Sequence, residues 1–193
     1  MKIPENYENT VAMKSGEYTD LPPGAYNCVI KHAVDTQTKN GRNMLELWLD
    51  IDEDAYKDFF EKQYRDIKEK FGEAKWRGKF NQLTDGKSVG YFKGLIEDIQ
   101  NSNNGFIFNF DEKTLKEKKI GGVFGRKEYI NQKNEKKFVT ICFDCIKITE
   151  VKEFEAPPDR LLDSSKAGNG SHGYTSSTGS TMEELDTESD LPF

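Results

Sequence analysis

Two stretches of alternating side chains, joined by an Asn-Gly turn, constrain the fold of this chain more than any other feature of its sequence. Residues 25–36 and 44–51 each alternate with a period of two, and Asn40-Gly41 lies between them. This period is typical of a half-buried β-strand, and Asn-Gly is the strongest short hairpin signal. The sequence therefore predicts an antiparallel hairpin. Its predicted faces are Tyr26, Cys28 and Ile30 against Val29, Lys31 and Ala33, then Leu45, Leu47, Leu49 and Ile51 against Met44, Glu46, Trp48 and Asp50.

The hydrophobic period changes after the hairpin, and the changes give the order of the remaining elements. Helical spacing predicts a first helix over residues 54–71, which Asp52 or Asp54 can cap, and a second over residues 88–100. The Gly121-Gly122 pair predicts a bulge or sharp bend in a strand. The predicted strands beyond the hairpin are residues 75–83, 120–130 and 136–151.

The element order β-β-α-β-α-β-β indicates a mainly β protein with helical insertions. If the first helix is an insertion, three strands, a helix and two strands remain. That is the order of the oligonucleotide-binding (OB) fold, a five-stranded β-barrel. We therefore predict an OB-fold barrel followed by a disordered C-terminal tail.

The acidity of the chain is concentrated in its last segment. The 193 residues carry 34 acidic and 28 basic side chains, a net charge of -6, of which residues 161–193 contribute -5. Gly, Ser and Thr fill 13 of the 18 positions over residues 164–181, a composition typical of segments without fixed structure. We predict four parts: a polar N-terminal arm (1–21), an OB-fold nucleic-acid-binding domain (22–160), a flexible linker (161–181) and an acidic partner-binding tip (182–193).

Several function classes lack the residues that they require. No run approaches the roughly 20 apolar residues of a membrane span. Three cysteines without an export signal indicate a reduced, cytoplasmic setting. Of the two histidines, His172 falls in the linker and His32 has no evident partner for nucleophilic catalysis. We therefore expect a protein that is not an enzyme, needs no cofactor and contacts no membrane.

The sequence offers little support for a metal site. Cys142 and Cys145 have the spacing of a zinc half-site, but no second pair completes it, and residues three apart in a strand face opposite sides. Asp50, Asp52 and Asp54 resemble a carboxylate cluster without the glycine and later glutamate of a calcium loop. We interpret them as a solvated acidic turn, and a nuclease is a distant alternative.

Basic side chains interleave with aromatic rings in two segments. Residues 113–137 contain nine Lys or Arg against three Glu, and residues 75–93 contain five against one Asp. Single-stranded nucleic acid needs cations along its phosphates and ring faces for its bases. Trp48 is a stacking platform if the extra helix leaves it exposed, and core if that helix covers it. The candidate DNA-binding residues are Lys39, Arg42, Trp48, Trp76, Arg77, Lys79, Arg126, Lys127, Tyr129, Lys133, Lys136 and Lys137.

The end of the sequence combines acidity with an apolar ring. Residues 182–193 carry five acidic side chains and no basic one. A terminal Phe offers a ring and an α-carboxylate together, which suits a small apolar pocket rimmed with Lys or Arg. The predicted partner-binding residues are Asp190, Leu191, Pro192 and Phe193.

This ending resembles the acidic tip of bacterial single-stranded-DNA-binding proteins, in which the tip recruits replication and repair enzymes. The body resembles instead a family of bacteriophage single-stranded-DNA-binding or recombination-accessory proteins, in the order and spacing of several short pieces. These pieces are Leu21-Pro22-Pro23-Gly24-Ala25-Tyr26, Gly41-Arg42-Asn43-Met44-Leu45, Phe92-Lys93-Gly94-Leu95-Ile96, and residues 103–106, 122–129 and 146–154.

The resemblance implies a phage protein of DNA replication, recombination or repair in the host cytoplasm. Such a protein binds single-stranded DNA with little sequence preference and recruits replication or recombination proteins through its tip. Its self-association stays open. The alternative is an adaptor that holds a phage recombinase or polymerase and touches no DNA, which the nearly neutral body favours mildly.

Overall fold

The described part of the chain is built on one five-stranded antiparallel sheet. The structure, a computed structural model, describes residues 20–53, 55–131 and 133–162. Helix α1 (Phe59–Phe71) follows the second strand, and α2 (Val89–Ser102) follows the third, so the predicted element order is confirmed. The strands are β1 (Gly24–Gln37), β2 (Asn43–Ile51), β3 (Lys79–Leu83), β4 (Lys119–Ile130) and β5 (Lys136–Ile146). Their order in the sheet is β3-β2-β1-β4-β5.

Several predicted features fall outside the described residues. The predicted N-terminal arm is described only at Asp20 and Leu21, and the linker only at Leu161 and Leu162. The acidic tip and His172 lie wholly outside. The four predicted partner-binding residues of the tip therefore remain predictions.

The main apolar core lies within the curve of the sheet, and a smaller cluster of Val123, Ile146 and Val151 lies apart from it. The strands at the two ends of the order, β3 and β5, also contact each other, so the sheet wraps around its inner face. The predicted inward face of β2 is buried throughout, as its alternation requires. The Phe60 ring of α1 stacks on Phe124 of β4 at 5.5 Å, and Leu95 and Ile99 of α2 are buried in the same core. Both helices thus add apolar surface to the core.

An irregularity in β1 changes which side chains face the core. The pairing of β1 with β2 shifts register between Ile30 and His32. Because a strand alternates with a period of two, the extra residue turns the rest of β1 over. Ala33 is therefore buried with Ile30, whereas the simple alternation predicted that the two face opposite sides.

A second irregularity follows the glycine pair of β4. The pairing of β4 with β5 shifts between Val123 and Phe124, immediately after Gly121-Gly122, where a bulge or bend was predicted. On the β5 side this shift places Cys142 and Cys145 together in the core, so the prediction that they face opposite sides is wrong. The glycine pair is needed for space, because a Cβ on Gly121 would lie 2.6 Å from the Val151 side chain.

The last strand is shorter than predicted. It ends at Ile146, and the chain continues as a short 3-10 helix, Ile148–Glu153, where the strand was predicted to extend to Val151. The Ile148 amide donates to Ser102 Oγ of α2 at 3.0 Å, and Val151 is buried against Val123 and Ile146. Contacts with α2 and β4 therefore replace the strand hydrogen bonds that were predicted for this segment.

A buried carboxylate on β2 caps helix α1. Asp50 is 0% exposed, and its Oδ1 accepts hydrogen bonds from the amides of Ile51 and Phe60, both at 2.9 Å. Its Oδ2 accepts from the Glu61 amide at 3.1 Å. The residue that precedes the helix, Asp58, forms no side-chain cap, so Asp50 satisfies the first helical N–H groups from another element.

This cap differs from the prediction, which placed it at Asp52 or Asp54. Helix α1 begins at Phe59, so neither of those residues is the one before its first turn. Asp52 instead contacts Lys119 at 2.8 Å and Lys57 at 3.6 Å, and these ammonium groups lower its pKa. Burial raises the pKa of Asp50, while the amide hydrogen bonds act in the opposite direction.

Substitution of Asp50 tests the cap. Asp50→Ala leaves the Phe60 and Glu61 amides without their acceptor, so we expect a loss of about 2 kcal/mol or more in the free energy of unfolding. Asp50→Asn retains one carbonyl acceptor and is expected to lose less. Urea unfolding followed by circular dichroism measures both. Asp52→Asn is the control, because its ion pairs are exposed to solvent and contribute about 1 kcal/mol at most. Equal losses for Asp50→Ala and Asp52→Asn would contradict the cap.

Candidate nucleic-acid interface

Four rings form a continuous row across β1, β2, the segment before β3, and α1. We call His32, Trp48, Trp76 and Tyr64 the aromatic row. The His32 ring meets Trp48 edge-on at 5.2 Å, Trp48 stacks on Trp76 at 5.7 Å with 13° between the planes, and Tyr64 lies 5.8 Å from Trp76. Three cross-element contacts therefore join the four rings.

The position of Trp48 follows from the alternation of β2. Its neighbours Leu47 and Leu49 are 0% exposed on the inner face, so Trp48 lies on the outer face. Trp48 pairs with His32 across the β1–β2 ladder, and cross-strand neighbours of this kind bring their side chains into contact. This part of the row follows directly from the hairpin.

The position of Trp76 depends on a close approach of the chain to β2. The Trp76 Nε1–H donates to the Leu49 carbonyl at 3.0 Å, and the Leu49 amide donates to the Gly78 carbonyl at 2.7 Å. A Cβ on Gly78 would lie 2.3 Å from the Leu49 oxygen and 2.5 Å from the Phe60 ring. Only glycine fits here without a shift of the backbone.

Burial differs along the row. His32 is exposed, Trp48 and Tyr64 are half-buried, and Trp76 is 8% exposed. Trp76 was predicted to stack on bases in the groove, but it belongs to the core, between the Trp48 and Tyr64 rings. For Trp48, both predicted alternatives are met in part, because it packs against the core yet keeps accessible surface.

Two lysines and one acid lie on the row. Lys79 Nζ is 5.5 Å from the centre of the Trp48 ring and 3.1 Å from Glu46 Oε2. Glu46 also accepts a hydrogen bond of 2.6 Å from Trp48 Nε1. Lys68 Nζ lies 5.6 Å from the centre of the Tyr64 ring. The row therefore combines ring faces with ammonium groups, and Glu46 offsets part of that positive charge.

The two candidates of the first hairpin differ in their surroundings. Lys39 is exposed in the turn. Arg42 donates from Nε and Nη2 to Asp85 Oδ1 at 3.1 and 2.9 Å, and the Asn43 amide donates to Asp85 Oδ2 at 2.8 Å. The Asn43 hydrogen bond and the Arg42 guanidinium both lower the pKa of Asp85. Arg42 thus joins the hairpin to the segment that follows β3.

The remaining basic candidates lie mostly on the hairpin of β4 and β5. Lys133 is exposed in its turn, and Tyr129 and Lys127 are half-buried on β4. The other three contact acids: Lys136 lies 3.4 Å from Glu128, Lys137 lies 3.7 Å from Glu135, and Arg126 lies 2.6 Å from Asp159.

Arg77 lies apart from both hairpins. It lines a small cavity with Asp20, Gln63 and Thr140, between α1 and β5. Its Nε is buried and has no hydrogen-bond partner among the described residues. Burial raises the pKa of Asp20, and the nearby Arg77 charge acts against that rise.

The structure therefore joins three predicted residues, Trp48, Trp76 and Lys79, into one surface with two that the sequence interpretation missed. His32 was treated as an ordinary strand histidine, and Tyr64 as part of the helical apolar stripe. The hairpin itself contained a signal for His32, because strands paired around Asn40-Gly41 bring residues near 32 opposite residue 48. No local signal indicated Tyr64, whose contact with Trp76 depends on the packing of α1.

Asp50, Asp52 and Asp54 were interpreted as a solvated acidic turn, but Asp50 is fully buried, so that interpretation is wrong for it, and Asp54 lies outside the described residues. Asp50 binds helix amides and Asp52 binds lysines, as described above. Among the described residues, the group of potential metal ligands is Asp50, Asp58 and Glu61, whose oxygens lie within 4.8 Å of one another. Lys31 Nζ lies 3.4 Å from Asp58 and 3.3 Å from Glu61, so an ammonium already pairs with two of the three carboxylates.

The three cysteines form no metal-ligand group among the described residues. All three thiols are buried in the core. Burial raises the pKa of both Cys28 and Cys145 well above the ordinary thiol value, which disfavours the thiolate that a metal requires. Cys28 and Cys142 donate instead to backbone carbonyls, of Tyr26 at 3.4 Å and Asp144 at 3.2 Å.

Comparison with known proteins adds no family to this description. No protein-family model matches the chain, and no curated protein matches it significantly. Within the described residues, no helix is long and apolar enough to cross a membrane.

Proposed function

We propose that this protein binds single-stranded DNA, with little sequence preference, on the outer face of β1, β2 and β3. The observation that carries the proposal is the aromatic row with Lys79 beside it. Aromatic faces accept any base, and each stacked base contributes about 1–3 kcal/mol, while cations along the path contact phosphates. His32 and Trp48 supply the accessible ring surface, and Trp76 and Tyr64 support it from behind.

The strand order supports an OB-type barrel. The pairings β1–β2, β1–β4, β2–β3 and β4–β5, together with the approach of β3 to β5, are those expected of that fold. In OB folds the face of the second and third strands binds oligonucleotides, flanked by the β1–β2 and β4–β5 loops. Trp48 and Lys79 lie on these strands, and Lys39 and Lys133 lie in these two loops.

The acidic tip completes the proposal. As its resemblance to the bacterial tip implies, residues 182–193 recruit replication or recombination enzymes to the DNA that the domain covers. The setting is phage DNA replication, recombination or repair in the host cytoplasm. The role is one of binding and recruitment, without catalysis and without a cofactor.

One observation favours the second candidate, a protein-interaction adaptor. The loop between α2 and β4 exposes Ile107 and Phe110, at 81% and 83%. Phe110 also adopts the left-handed backbone region (φ 64°), which is costly for a bulky side chain and is found mainly at functional positions. Large exposed apolar side chains of this kind often mark protein contacts. Binding to DNA and binding through this loop are separable by experiment.

Salt titration tests DNA binding directly. Because lysines and arginines would contact phosphates, the affinity for oligothymidine should fall steeply as the salt concentration rises. A plot of log affinity against log salt concentration should have a slope of about -0.7 per phosphate neutralised. Fluorescence anisotropy of a labelled oligothymidine at several salt concentrations measures the slope. A mixed-sequence oligonucleotide is the control for sequence preference, and absence of binding at low salt would leave the adaptor as the better candidate.

The aromatic row has its own test, because both tryptophans of the chain belong to it. Trp48→Ala should weaken oligothymidine binding by about 1–3 kcal/mol without unfolding the domain. Base stacking should also quench tryptophan fluorescence in the unmodified protein. Phe154→Ala is the matched control, since it removes a 42% exposed ring outside the row and should leave affinity unchanged.

Trp76→Ala tests whether Trp76 contributes to folding stability and not to direct stacking on bases. Because Trp76 is buried, its truncation should cost about 3–5 kcal/mol of folding stability. Thermal melts of the free variants distinguish this loss from a binding defect. A Trp48→Ala variant that melts normally and binds oligothymidine like the unmodified protein would rule out the row as the binding surface.

Deletion of residues 182–193 tests the tip. Residues 164–189 number 26, and a coil of that length spans roughly 25–30 Å, so the tip can reach the domain and compete with phosphates. We expect the deletion to preserve the fold and to maintain or raise DNA affinity at low salt. It should abolish capture of a replication or repair enzyme, and Phe193→Ala should do much of that alone. A scrambled tip of equal charge is the control, and full capture by the scramble would show that only charge matters.

A further inference from the structure

The guanidinium of Arg126 is bound by a carboxylate from the end of the described chain. Arg126 Nε donates to Asp159 Oδ1 at 2.8 Å, and Nη2 donates to Oδ2 at 2.6 Å. The two parallel bonds use both oxygens of one carboxylate. This fork geometry is the one by which arginine binds phosphate as well as carboxylate, because each offers two oxygens at similar spacing.

An isolated backbone bridge between Arg160 and Lys127 of β4 holds Asp159 in place. We call residues 159–162 the strap. The Arg160 amide donates to the Arg126 carbonyl, and the Glu128 amide donates to the Arg160 carbonyl, both at 2.8 Å. The Leu162 amide donates to Glu128 Oε2 at 3.1 Å, and the Arg160 guanidinium lies 3.8 Å from the centre of the Phe143 ring. The strap is thus joined to β4 at Asp159, Arg160 and Leu162.

An exposed ring completes the surroundings of Arg126. The guanidinium carbon lies 5.3 Å from the centre of the Phe138 ring on β5, and Phe138 is exposed. Lys136 is exposed two residues earlier on the same strand. A guanidinium, an accessible ring and an ammonium together are the groups by which proteins bind the backbone and bases of single strands.

We propose that Arg126 and Phe138 form a second contact for single-stranded DNA, in which Asp159 occupies the place of a backbone phosphate until DNA displaces it. This inference rests on the proposed function and adds a masked phosphate site to it. The strap keeps the guanidinium paired in the free protein, and DNA exchanges one oxyanion for another at the same two nitrogens.

The exchange is energetically accessible because the Arg126–Asp159 pair is at the surface. Half of the Arg126 side chain and 28% of the Asp159 side chain are exposed. Salt screens a pair with this exposure, and a phosphate offers the same two oxygens, so the exchange loses no fork contact. The backbone bonds of Arg160 do not depend on the Asp159 side chain, so the strap can remain on β4 while the carboxylate swings away.

Asp159→Asn in the full chain removes the competing charge and retains the shape of the side chain. We expect oligothymidine affinity to rise about three- to tenfold at low salt, since a tenfold change corresponds to one good charge-assisted contact. The log–log salt slope should steepen by up to about 0.7, because in the unmodified protein the freed Asp159 carboxylate takes up a cation and so offsets the one that the phosphate contact releases. Glu155→Gln is the control, since it removes the same charge from an exposed position four residues earlier.

Arg126→Ala, alone and combined with Asp159→Asn, shows where the gain arises. We expect Arg126→Ala to abolish the gain, and Arg126→Lys to restore only part of it, because lysine lacks the fork. Thermal melts show whether each variant is folded. A merely structural ion pair would change the melting temperature and leave the salt slope unchanged.

Two outcomes would overturn the inference and leave the proposed function intact. In one, the unmodified protein binds oligothymidine, but Asp159→Asn matches Glu155→Gln in both affinity and slope. In the other, the gain persists when Arg126 is alanine. Absence of binding by every variant, Asp159→Asn included, would overturn the proposed function itself.

Discussion

The buried carboxylate of Asp50 is the contact on which the arrangement of the candidate site depends. Asp50 lies two residues after Trp48, on the same face of β2, and its oxygens bind the amides of Phe60 and Glu61. Without side-chain capping by Asp58, the first turn of α1 relies on this acceptor. The bond therefore fixes the start of α1 on the outer face of the sheet, next to the tryptophans.

The consequences continue along α1. Phe60 enters the core beside Phe124, and Tyr64, one turn later, meets the Trp76 ring. Trp76 is held between Tyr64 and Trp48, so the outer face of the sheet carries a second, smaller layer of packed rings. Rigid support of this kind lowers the cost of ordering a side chain on binding. Glu46 acts in the opposite direction, because it pairs with Lys79 and brings a negative charge to a surface proposed to meet phosphates.

Features set by local pattern could be predicted from the sequence, and features set by distant contacts could not. Alternation and the Asn-Gly turn gave the first hairpin and the outward position of Trp48. The cap of α1 was missed because the helix was predicted to begin near residue 54, which made Asp52 and Asp54 the candidates, whereas the geometry of the sheet face selects Asp50. Trp76 was predicted to be accessible, but Tyr64 of α1 packs against it. The position of that inserted helix could not be predicted from the sequence. Strand bulges turned Ala33 and Cys142 to the core. The Gly121-Gly122 pair predicted an irregularity in β4, but no pattern within β1 or β5 located the extra residue in either strand.

The strap also alters the outer edge of the sheet. Strand β4 pairs with β1 only as far as Phe124, so beyond that residue its amides and carbonyls on that side lack a neighbouring strand from the sheet. Open edges of this kind are templates on which a second chain can add a strand, which leads to aggregation. Arg160 satisfies the Arg126 carbonyl and the Glu128 amide there. The four residues of the strap thus protect the domain against edge-to-edge assembly. A chain that ended before Asp159 would therefore lose solubility, although its core would remain complete.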